Sequence, residues 1–480
     1  MINKYILIYL TLSIGVAQLV PPSDPTYKYL NQNFRQEHNL RLLIKAYPFT
    51  NDDLTGIRYT AIPKSKNFRF APSLKVSENI PDLRMGIWIN TWKEKFSILA
   101  EPVVVNKNYG QTILGEKYHR GGISGRFENA LLRYKADRIN INFGRSPVWW
   151  GQSWHSSTIM SGHYPPYDHL STKINFDSFY FELLAGQLHS VKVDSIGRFK
   201  RFISGKRITY LSKNEKLIIN AGDLVVYSGL NRSVEFQYLN PVAPFFFADL
   251  ESEIERYMEL DNDNFMIFFD GRYAFNKPLS IYFEFLIDDF QMTISNRDTI
   301  PDALALKLGV DGALKFNNRS ITYEFEYTKV SGNTYITRGW FTNWEDRNMP
   351  IGYKYGPDCE SLYFFADYWI SRNFLFFGTI TYLEKGSLTF DSQYDENRKL
   401  ESPSNPVKYY TYCAPAIKND CVKSPNPETK LRVLLTPVLQ ADKITKSAAI
   451  SNSIISLELR YPSLNHFPFN SGVNINPGKF

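Results

Sequence analysis

The sequence is poor in cysteine and lacks a long apolar run. Only 3 of its 480 residues are cysteine, which excludes a small domain held together by disulfides. No uninterrupted apolar stretch reaches the roughly 20 residues that a transmembrane helix needs, so a polytopic helical membrane protein is also excluded. Charged residues of both signs nearly balance, with 55 Lys and Arg against 48 Asp and Glu, a net charge of +7. Aromatic residues, by contrast, reach 15% and hydrophobic residues 43%, a composition that excludes a disordered chain.

Residues 1–17 have the form of a secretory signal peptide. Lys4 precedes a short apolar core, and small residues lead to a cleavage site after Ala17. A first core strand or helix is the alternative interpretation. No Cys follows Ala17, which excludes a lipoprotein signal. An exported chain without a helical span is either soluble outside the inner membrane or an outer-membrane β-barrel, because only a closed barrel pairs every backbone group in lipid.

Residues 18–66 are predicted to form a small helical head. Ser23 and Asp24 can cap a helix and Pro25 suits its first position. A second start, at Thr50, is followed by acidic residues in the first turn. This head follows a signal peptide and precedes an even number of strands. Both ends of the barrel would then lie on the periplasmic side, and the head with them.

From about residue 68 the hydrophobic period changes to two. In 320–328, the odd positions are Ile, Tyr, Phe and Tyr, and the even positions are Ser, Thr, Glu, Glu and Thr. The stretches 138–144, 280–288 and 453–461 alternate similarly. One apolar and one charged face are typical of a membrane barrel, with lipid outside and a polar lumen inside. A soluble sandwich also alternates, but it is rarely so rich in Phe and Tyr along strand after strand.

Short and long connections alternate along residues 67–480. This asymmetry is typical of the periplasmic turns and extracellular loops of outer-membrane barrels. The sequence therefore predicts an all-β, antiparallel outer-membrane barrel of eighteen strands, with sixteen as the alternative because the seventh and last strands are the weakest. The predicted strands are 68–77, 83–92, 95–105, 121–135, 138–144, 174–185, 187–194, 203–212, 216–227, 263–275, 279–290, 303–316, 320–330, 360–370, 374–385, 430–441, 450–461 and 467–480. The chain ends on Phe480, a terminal aromatic of the kind that barrel-assembly machinery reads.

Several short elements, in a fixed order, resemble the Wzi capsule-assembly family. Residues 143–154 contain its Gly-Arg-x-Pro-x-x-Trp-Gly stretch, and 239–241 its Leu-Asn-Pro element. Residues 261–264 and 281–289 resemble its Asp-Asn and Tyr-x-Glu-x-x-x-Asp-Asp elements. The chain departs from the family pattern at Ser153-Trp154 and at Asp223. The resemblance implies an eighteen-stranded outer-membrane barrel with a periplasmic helical head, acting as a lectin that holds surface polysaccharide.

The connection 145–173 is rich in aromatic residues and is the first candidate binding site. Aromatic rings stack on the apolar faces of sugars, and nearby polar groups fix the orientation of the sugar. The alternatives are an aromatic girdle or a loop folded into the lumen as a plug. Trp150 and Trp154 are the favoured pair, because the adjacent Trp149 would face the other way in an extended segment. The candidates for polysaccharide binding are Arg145, Trp149, Trp150, Trp154, Tyr164, Tyr167, Asp288, Asp289, Arg198, Lys200 and Arg201.

Other charged residues raise further hypotheses. Arg145, Glu284, Asp288, Asp289, Glu324 and Glu326 are expected in the lumen, where paired carboxylates could act on a glycoside but more often pair with Arg and Lys. The basic residues Arg198, Lys200, Arg201, Lys206 and Arg207 could hold acidic polysaccharide or lipopolysaccharide phosphates, and an ordinary solvated hairpin is the alternative. No nucleophile or phosphate-loop motif appears, and the histidine spacing matches no metal pattern. No cofactor, metal ion or nucleic acid partner is therefore expected.

The sequence as a whole predicts a non-catalytic barrel that retains capsular polysaccharide or exopolysaccharide at the cell surface. A diffusion porin is the first alternative and a barrel enzyme acting on glycans or lipids the second. The expected partners are surface polysaccharide, outer-membrane lipid and lipopolysaccharide, and the barrel-assembly machinery, with the protein itself a monomer. Cys413 and Cys421 are predicted to form a disulfide in the longest loop, which leaves Cys359 single.

Overall fold

A computed structural model provides the structure of this protein. It describes residues 5–9, 19–20, 40, 49–50, 68–77, 80–89, 95–106, 123–162, 164–193, 197–230, 232–245, 263–276, 279–289, 302–316, 319–337, 340–347, 349–371, 374–386, 390, 428–440 and 454–460. Among these residues, no helix has the length and apolar character needed to cross a membrane.

Strands dominate the described part of the chain. In chain order they are β1 (Tyr5–Tyr9), β2 (Leu19–Val20), β3 (Phe49–Thr50), β4 (Phe68–Ser77), β5 (Ile80–Ile89), β6 (Phe96–Asn106), β7 (Ile123–Lys135), β8 (Ile139–Ser146), β9 (Trp149–Trp150), β10 (Met160–Ser161), β11 (Tyr167–Phe176), β12 (Phe179–Val193), β13 (Gly197–Leu211), β14 (Leu217–Gly229), β15 (Asn264–Asn276), β16 (Leu279–Asp289), β17 (Ala303–Phe316), β18 (Arg319–Val330), β19 (Glu345–Asp346), β20 (Met349–Pro350), β21 (Cys359–Ser371), β22 (Phe374–Lys385), β23 (Glu428–Gln440) and β24 (Ile454–Arg460). Two short 3-10 helices, Phe236–Leu239 and Trp340–Thr342, lie in connections.

Eighteen of the described strands form one closed antiparallel sheet. Its order follows the chain from β4 to β8, then from β11 to β18, and then from β21 to β24. β1 lies between β24 and β4 and pairs with both. The three remaining pairs, β2–β3, β9–β10 and β19–β20, are small separate ribbons. The predicted antiparallel barrel is thus confirmed.

The two faces of the barrel wall differ sharply. On β16, Ile281 and Phe283 are exposed on the outside, whereas Tyr282 and Glu284 are buried inside. Other large apolar side chains exposed on the outer face are Phe96, Ile98, Leu132, Ile139, Phe143, Leu170, Ile208, Phe269, Leu308, Phe325, Leu362 and Ile380. Charged side chains that are fully buried on the inner face are Arg133, Asp270, Arg272, Lys307, Asp311, Glu324 and Glu326. Apolar outside and charged inside is the arrangement of a barrel in lipid.

Connections of two lengths join the strands. At one end, turns of two to five residues follow β7, β11, β13, β15, β17 and β21. At the other end lie the long connections 147–166, 230–263, 331–358 and 386–427. The predicted alternation of short and long connections holds for these connections, whereas only three residues, 194–196, separate β12 from β13 at the loop end. We call these two ends of the barrel the turn end and the loop end.

The largest difference from the predicted strands concerns one pair. The sequence predicts continuous strands over 174–185 and 187–194, but the chain turns at Asp177-Ser178 between β11 and β12. Asp177 has a φ of 61°, in the left-handed region that Asp tolerates in turns. The apolar residues on both sides of this turn concealed it in the hydrophobic pattern.

The N-terminal region contributes little to the described structure. β1 lies within the predicted signal peptide, and β2 and β3, which pair with each other, are strands in the predicted helical head. Apart from these strands and Leu40, the predicted head, 18–66, lies outside the described residues, as do the predicted strand 467–480 and the predicted Cys413–Cys421 disulfide. Leu40 of the head is buried against Leu211 and Ile218, at the turn end of β13 and β14.

Candidate functional site

The connection between β8 and β11 folds into the lumen around the carboxylate of Glu284. The N–H groups of Gln152 and Ser153 donate to Glu284 Oε1 at 2.7 and 3.0 Å. Thr158 donates to Oε2 from its N–H at 2.7 Å and from its hydroxyl at 2.9 Å, and Ser157 Oγ donates at 3.1 Å. All of these groups are buried. Five donors on one carboxylate make Glu284 the anchor of residues 151–158, which we call the plug loop.

Gly151 makes this wrapping possible. Its φ is +129°, and a Cβ built there would stand 2.6 Å from Glu284 Oε1 and 2.1 Å from Ser157 Oγ. Only glycine fits a backbone that turns this tightly against a carboxylate. The Trp-Gly and Tyr-x-Glu elements, far apart in sequence, therefore meet in the lumen.

A second connection, 331–358, packs against the plug loop. The Tyr335 hydroxyl donates to the carbonyl of Thr158, and the Tyr335 N–H donates to Asp288 Oδ2 at 2.5 Å. Trp344 Nε1 donates to the carbonyl of Ile159 at 3.1 Å. Burial raises the pKa of the Tyr335 phenol well above its usual range, so this hydroxyl keeps the proton that it donates. The predicted lumenal position of Asp288 is therefore confirmed, and its carboxylate serves the second connection.

The other charges of the lumen bond to one another across the strands. Arg272 donates to Asp311 at 2.6 Å and to the carbonyl of Gln152 at 2.7 Å. The Tyr282 hydroxyl lies 2.9 Å from Glu324 and 2.7 Å from Glu326. A glycoside has no access to these carboxylates, because the described lumen wall is buried beneath the two connections. The arrangement gives no support to acid–base chemistry on a glycan.

Arg145 faces outward, contrary to the prediction. It lies on the same face of β8 as Phe143, which is 63% exposed, and its guanidinium pairs with Asp168 on β11 at 2.5 Å. The reason is the strict alternation of the strand, which places odd residues 139–145 outside. At Gly144, with a φ of +124°, a Cβ would collide with the carbonyl oxygen of Ala130, which explains the glycine of the motif.

The tryptophans of the aromatic connection occupy different levels of the barrel. Trp150 is buried in the lumen beside Phe268, with Arg207 over its ring at 5.1 Å. Trp154 packs against the cluster of Leu40, Leu211 and Ile218 at the turn end. The prediction that these two rings stack on a sugar is therefore corrected, because Trp150 is buried in the lumen and Trp154 packs at the turn end. Trp149 is half-buried at the start of the connection.

The remaining aromatic candidates are also internal. Tyr164 and Tyr167 stack at a centroid distance of 5.6 Å and are both buried. Tyr164 donates to the carbonyl of Val148 at 3.1 Å. Both rings thus hold the connection in place and offer no face to solvent. The side chain of Asp289 lies outside the described residues.

The predicted basic cluster is divided by the barrel wall. Arg201 points inward and donates to the carbonyls of Asn343 and Glu345, each at 2.8 Å. Arg198 and Lys200 are exposed on the outer face near the loop end. Alternation along a strand puts neighbouring residues on opposite faces, so Arg201 cannot share a site with these two.

A segment that the sequence did not single out for function, 232–245, lies against the outer face of β13 and β14. Asp223 accepts the N–H of Phe245 at 2.8 Å, and Lys206 donates to the carbonyls of Asn240 and Ala243. The rings of Tyr238 and Phe245, from the segment, pack with those of Phe202 and Tyr227, from the wall. The Leu-Asn-Pro element, 239–241, therefore covers a Lys–Asp pair on the outer wall. Its signal in the sequence was the run of Pro and Phe residues that follows Asn240.

Cys359 is a free, buried thiol at the loop end of β21. Its Sγ lies 3.4 Å from the carbonyl of Gly356.

Comparison with known proteins identifies a family. Residues 87–387, more than half of the chain, match the family model described as capsule assembly protein Wzi. No curated protein sequence matches the chain.

The fold is similar to that of solved outer-membrane barrels. One is Wzi of Escherichia coli, described as a carbohydrate-binding β-barrel involved in group 1 capsule assembly. The alignment covers 93% of this chain and 100% of that chain, at 14% identity and a TM-score of 0.56. Another is OccD3 of Pseudomonas aeruginosa, with 83% and 86% covered, 9% identity and a TM-score of 0.37.

Proposed function

This chain belongs to the Wzi capsule-assembly family, and on that premise we propose that it binds surface polysaccharide and retains it at the outer membrane without cleaving it. The family is non-enzymatic. The observation that carries the proposal is the filled lumen, in which the plug loop and the second connection bury the inward charges. A diffusion porin needs a water-filled channel, and a filled barrel suits retention better than passage.

The polysaccharide is proposed to bind at the loop end, where Trp149 is the best remaining aromatic candidate. This residue follows β8 closely as the chain leaves the wall, and its ring is partly exposed. Its Nε1 donates to the carbonyl of Ser153 at 3.1 Å, which fixes the plane of the ring. A ring held in one orientation binds a sugar face at a low cost in side-chain entropy.

Replacement of Trp149 tests this proposal. In cells that lack the native gene, Trp149→Ala should lower the amount of cell-bound polysaccharide and leave total polysaccharide unchanged. Loss of one stacking ring is worth about 1–3 kcal/mol, or roughly 5- to 150-fold in affinity for the purified protein. Binding of the purified, folded barrel to the polysaccharide of its own bacterium measures this change.

The matched control is Trp154→Ala, which removes the same ring at the turn end. Once folded, this variant should bind polysaccharide normally. Open-channel conductance of the native protein in a planar bilayer would favour the porin instead. Shortening of the polysaccharide by the pure protein would favour the enzyme.

We also propose the export route and topology. Residues 1–17 are removed on export, residues 18–66 form a periplasmic head, and residues 67–480 form the barrel. The burial of Leu40 beside Leu211 and Ile218 supports this topology, because turn ends of such barrels face the periplasm. The barrel-assembly machinery inserts the chain, which remains a monomer.

A further inference from the structure

Three exposed cations stand together at the tip of the β12–β13 hairpin. They are Lys192, Arg198 and Lys200. Lys192 and Arg198 are direct partners in the register of the two strands. Two like charges placed opposite each other on one face destabilise a strand pair, so this arrangement calls for a compensating anion.

A β-bulge places Lys192 on this face. Below it, Leu188 is opposite Arg201, and above it, Val191 is opposite Phe199. β12 therefore has one residue more than β13 between these pairs. Without that residue, Lys192 would point into the lumen and Val191 would stand beside Arg198. Bulges commonly redirect a side chain at a functional site, and here the bulge gathers three cations on the outer wall.

The cations stand above the apolar band of the barrel. Ile208, on the same outer face of β13, is 55% exposed and belongs to that band, and between Ile208 and Lys200 the segment 232–245 covers Phe202 and Lys206. Each residue of a tilted strand rises about 2.5 Å along the barrel axis. Lys200 lies eleven residues from Leu211, the turn end of β13, and hence about 28 Å above it. The apolar band of such barrels is about 25 Å tall, so Lys200 reaches the headgroup level of the outer leaflet.

No carboxylate within the described residues forms an ion pair with the three cations. The hydrogen bond found there runs from Arg198 Nη1 to the carbonyl of Ser190 at 3.4 Å. An anion that approaches from the side, at headgroup height, would meet all three. Guanidinium and ammonium groups bind phosphate through charge-assisted hydrogen bonds.

We propose that Lys192, Arg198 and Lys200 form a binding site for the phosphate groups of lipopolysaccharide in the outer leaflet. The site faces sideways from the outer wall, above the stretch of β13 that the segment 232–245 covers. It is therefore distinct from the loop end, where polysaccharide is proposed to bind. The phosphorylated headgroup compensates the repulsion of the Lys192–Arg198 pair and holds a glycolipid against the barrel.

The test is binding of lipid A to the purified full-length barrel in detergent. The variant Lys192→Ser/Arg198→Ser/Lys200→Ser should bind bisphosphorylated lipid A at least tenfold more weakly than the native protein. Dephosphorylated lipid A should bind the native protein as weakly as the phosphorylated lipid binds the variant. The matched control is Lys95→Ser/Lys213→Ser/Lys216→Ser, which removes three exposed cations at the turn end and should keep full affinity.

Several outcomes would overturn the proposal. One is equal affinity of the variant and the native protein for lipid A. Another is a loss of affinity in the variant that is equally large for phosphorylated and for dephosphorylated lipid A. A third is unchanged lipid A binding together with lost binding of soluble polygalacturonate, which would make the patch a polysaccharide site. Heat-modifiable mobility on gels verifies folding. If the triple variant does not fold, Arg198→Ser alone should weaken binding about threefold.

Discussion

Glu284 shows how much of the interior depends on a single side chain. Its two oxygens accept five hydrogen bonds from the plug loop, and its neighbourhood is closed to water. A buried donor that loses its acceptor costs about 1–3 kcal/mol. Glu284, one of the lumenal acids considered for action on a glycoside, therefore has a structural task, which is to hold the plug loop inside the barrel.

Replacing this carboxylate should release the plug loop. In Glu284→Ala, the N–H groups of Gln152, Ser153 and Thr158 lose their acceptor. We expect their hydrogen exchange to accelerate at least tenfold and channel conductance to appear in planar bilayers. The control, Ile281→Val, changes a lipid-facing residue of the same strand. Unchanged exchange in Glu284→Ala would show that other contacts hold the loop.

A second buried acid makes the stability of the folded protein depend on pH. Asp346, in the connection between β18 and β21, accepts the N–H of His189 at 2.8 Å. Burial raises the pKa of Asp346, so folding favours its neutral form. As pH rises through this raised pKa, deprotonation costs more in the folded than in the unfolded state, and stability falls.

The anchoring of residues 340–347 should therefore strengthen on mild acidification. Hydrogen exchange of this segment, corrected for the intrinsic effect of pH, measures the change. Asp346→Asn keeps the acceptor without the charge and should remove this dependence. If hydrogen exchange of this segment depends on pH in Asp346→Asn as it does in the native protein, another group causes the dependence.

At the scale of single elements, the hydrophobic period located strands well and turns less well. β4, β17 and β22 have the predicted bounds, and β16 ends within a residue of its predicted end. The turn at Asp177-Ser178 escaped because it is only two residues long and has Phe on both sides. A two-residue turn depends on local backbone conformation, here the positive φ of Asp177, and such a conformation leaves only a weak compositional signal.

β1 is the least suited of the eighteen strands to its place. Its five residues rise only about 12 Å along a tilted barrel, less than half of a band about 25 Å tall. We therefore expect that signal peptide removal eliminates β1 and that 467–480 pairs with β24 and β4 in the mature protein. The chain without residues 2–17 should refold in detergent to a heat-modifiable barrel, whereas the same chain without 467–480 should not. The opposite pattern would contradict this assignment.

At the scale of the whole molecule, the sequence predicts the barrel wall but not how the connections pack inside it. The alternation of apolar and polar residues predicts that Glu284 faces the lumen and Phe283 the lipid, because each side chain responds to its own surroundings. The direction of the plug loop depends instead on contacts between residues more than a hundred positions apart, and local patterns carry no record of these. For this reason Trp150 and Trp154 were expected at the surface, although a plug was recognised as an alternative.

The plug loop also has consequences for the order of assembly. Gln152 finds its acceptor 132 residues later, at Glu284, and Ser156 finds Lys354 198 residues later. Contacts this distant in sequence form slowly, because a long chain segment has to close first. The plug loop precedes most of the strands that enclose it in the chain. A barrel that closed too early would trap this loop outside, so we expect closure of the wall to follow the folding of the plug loop.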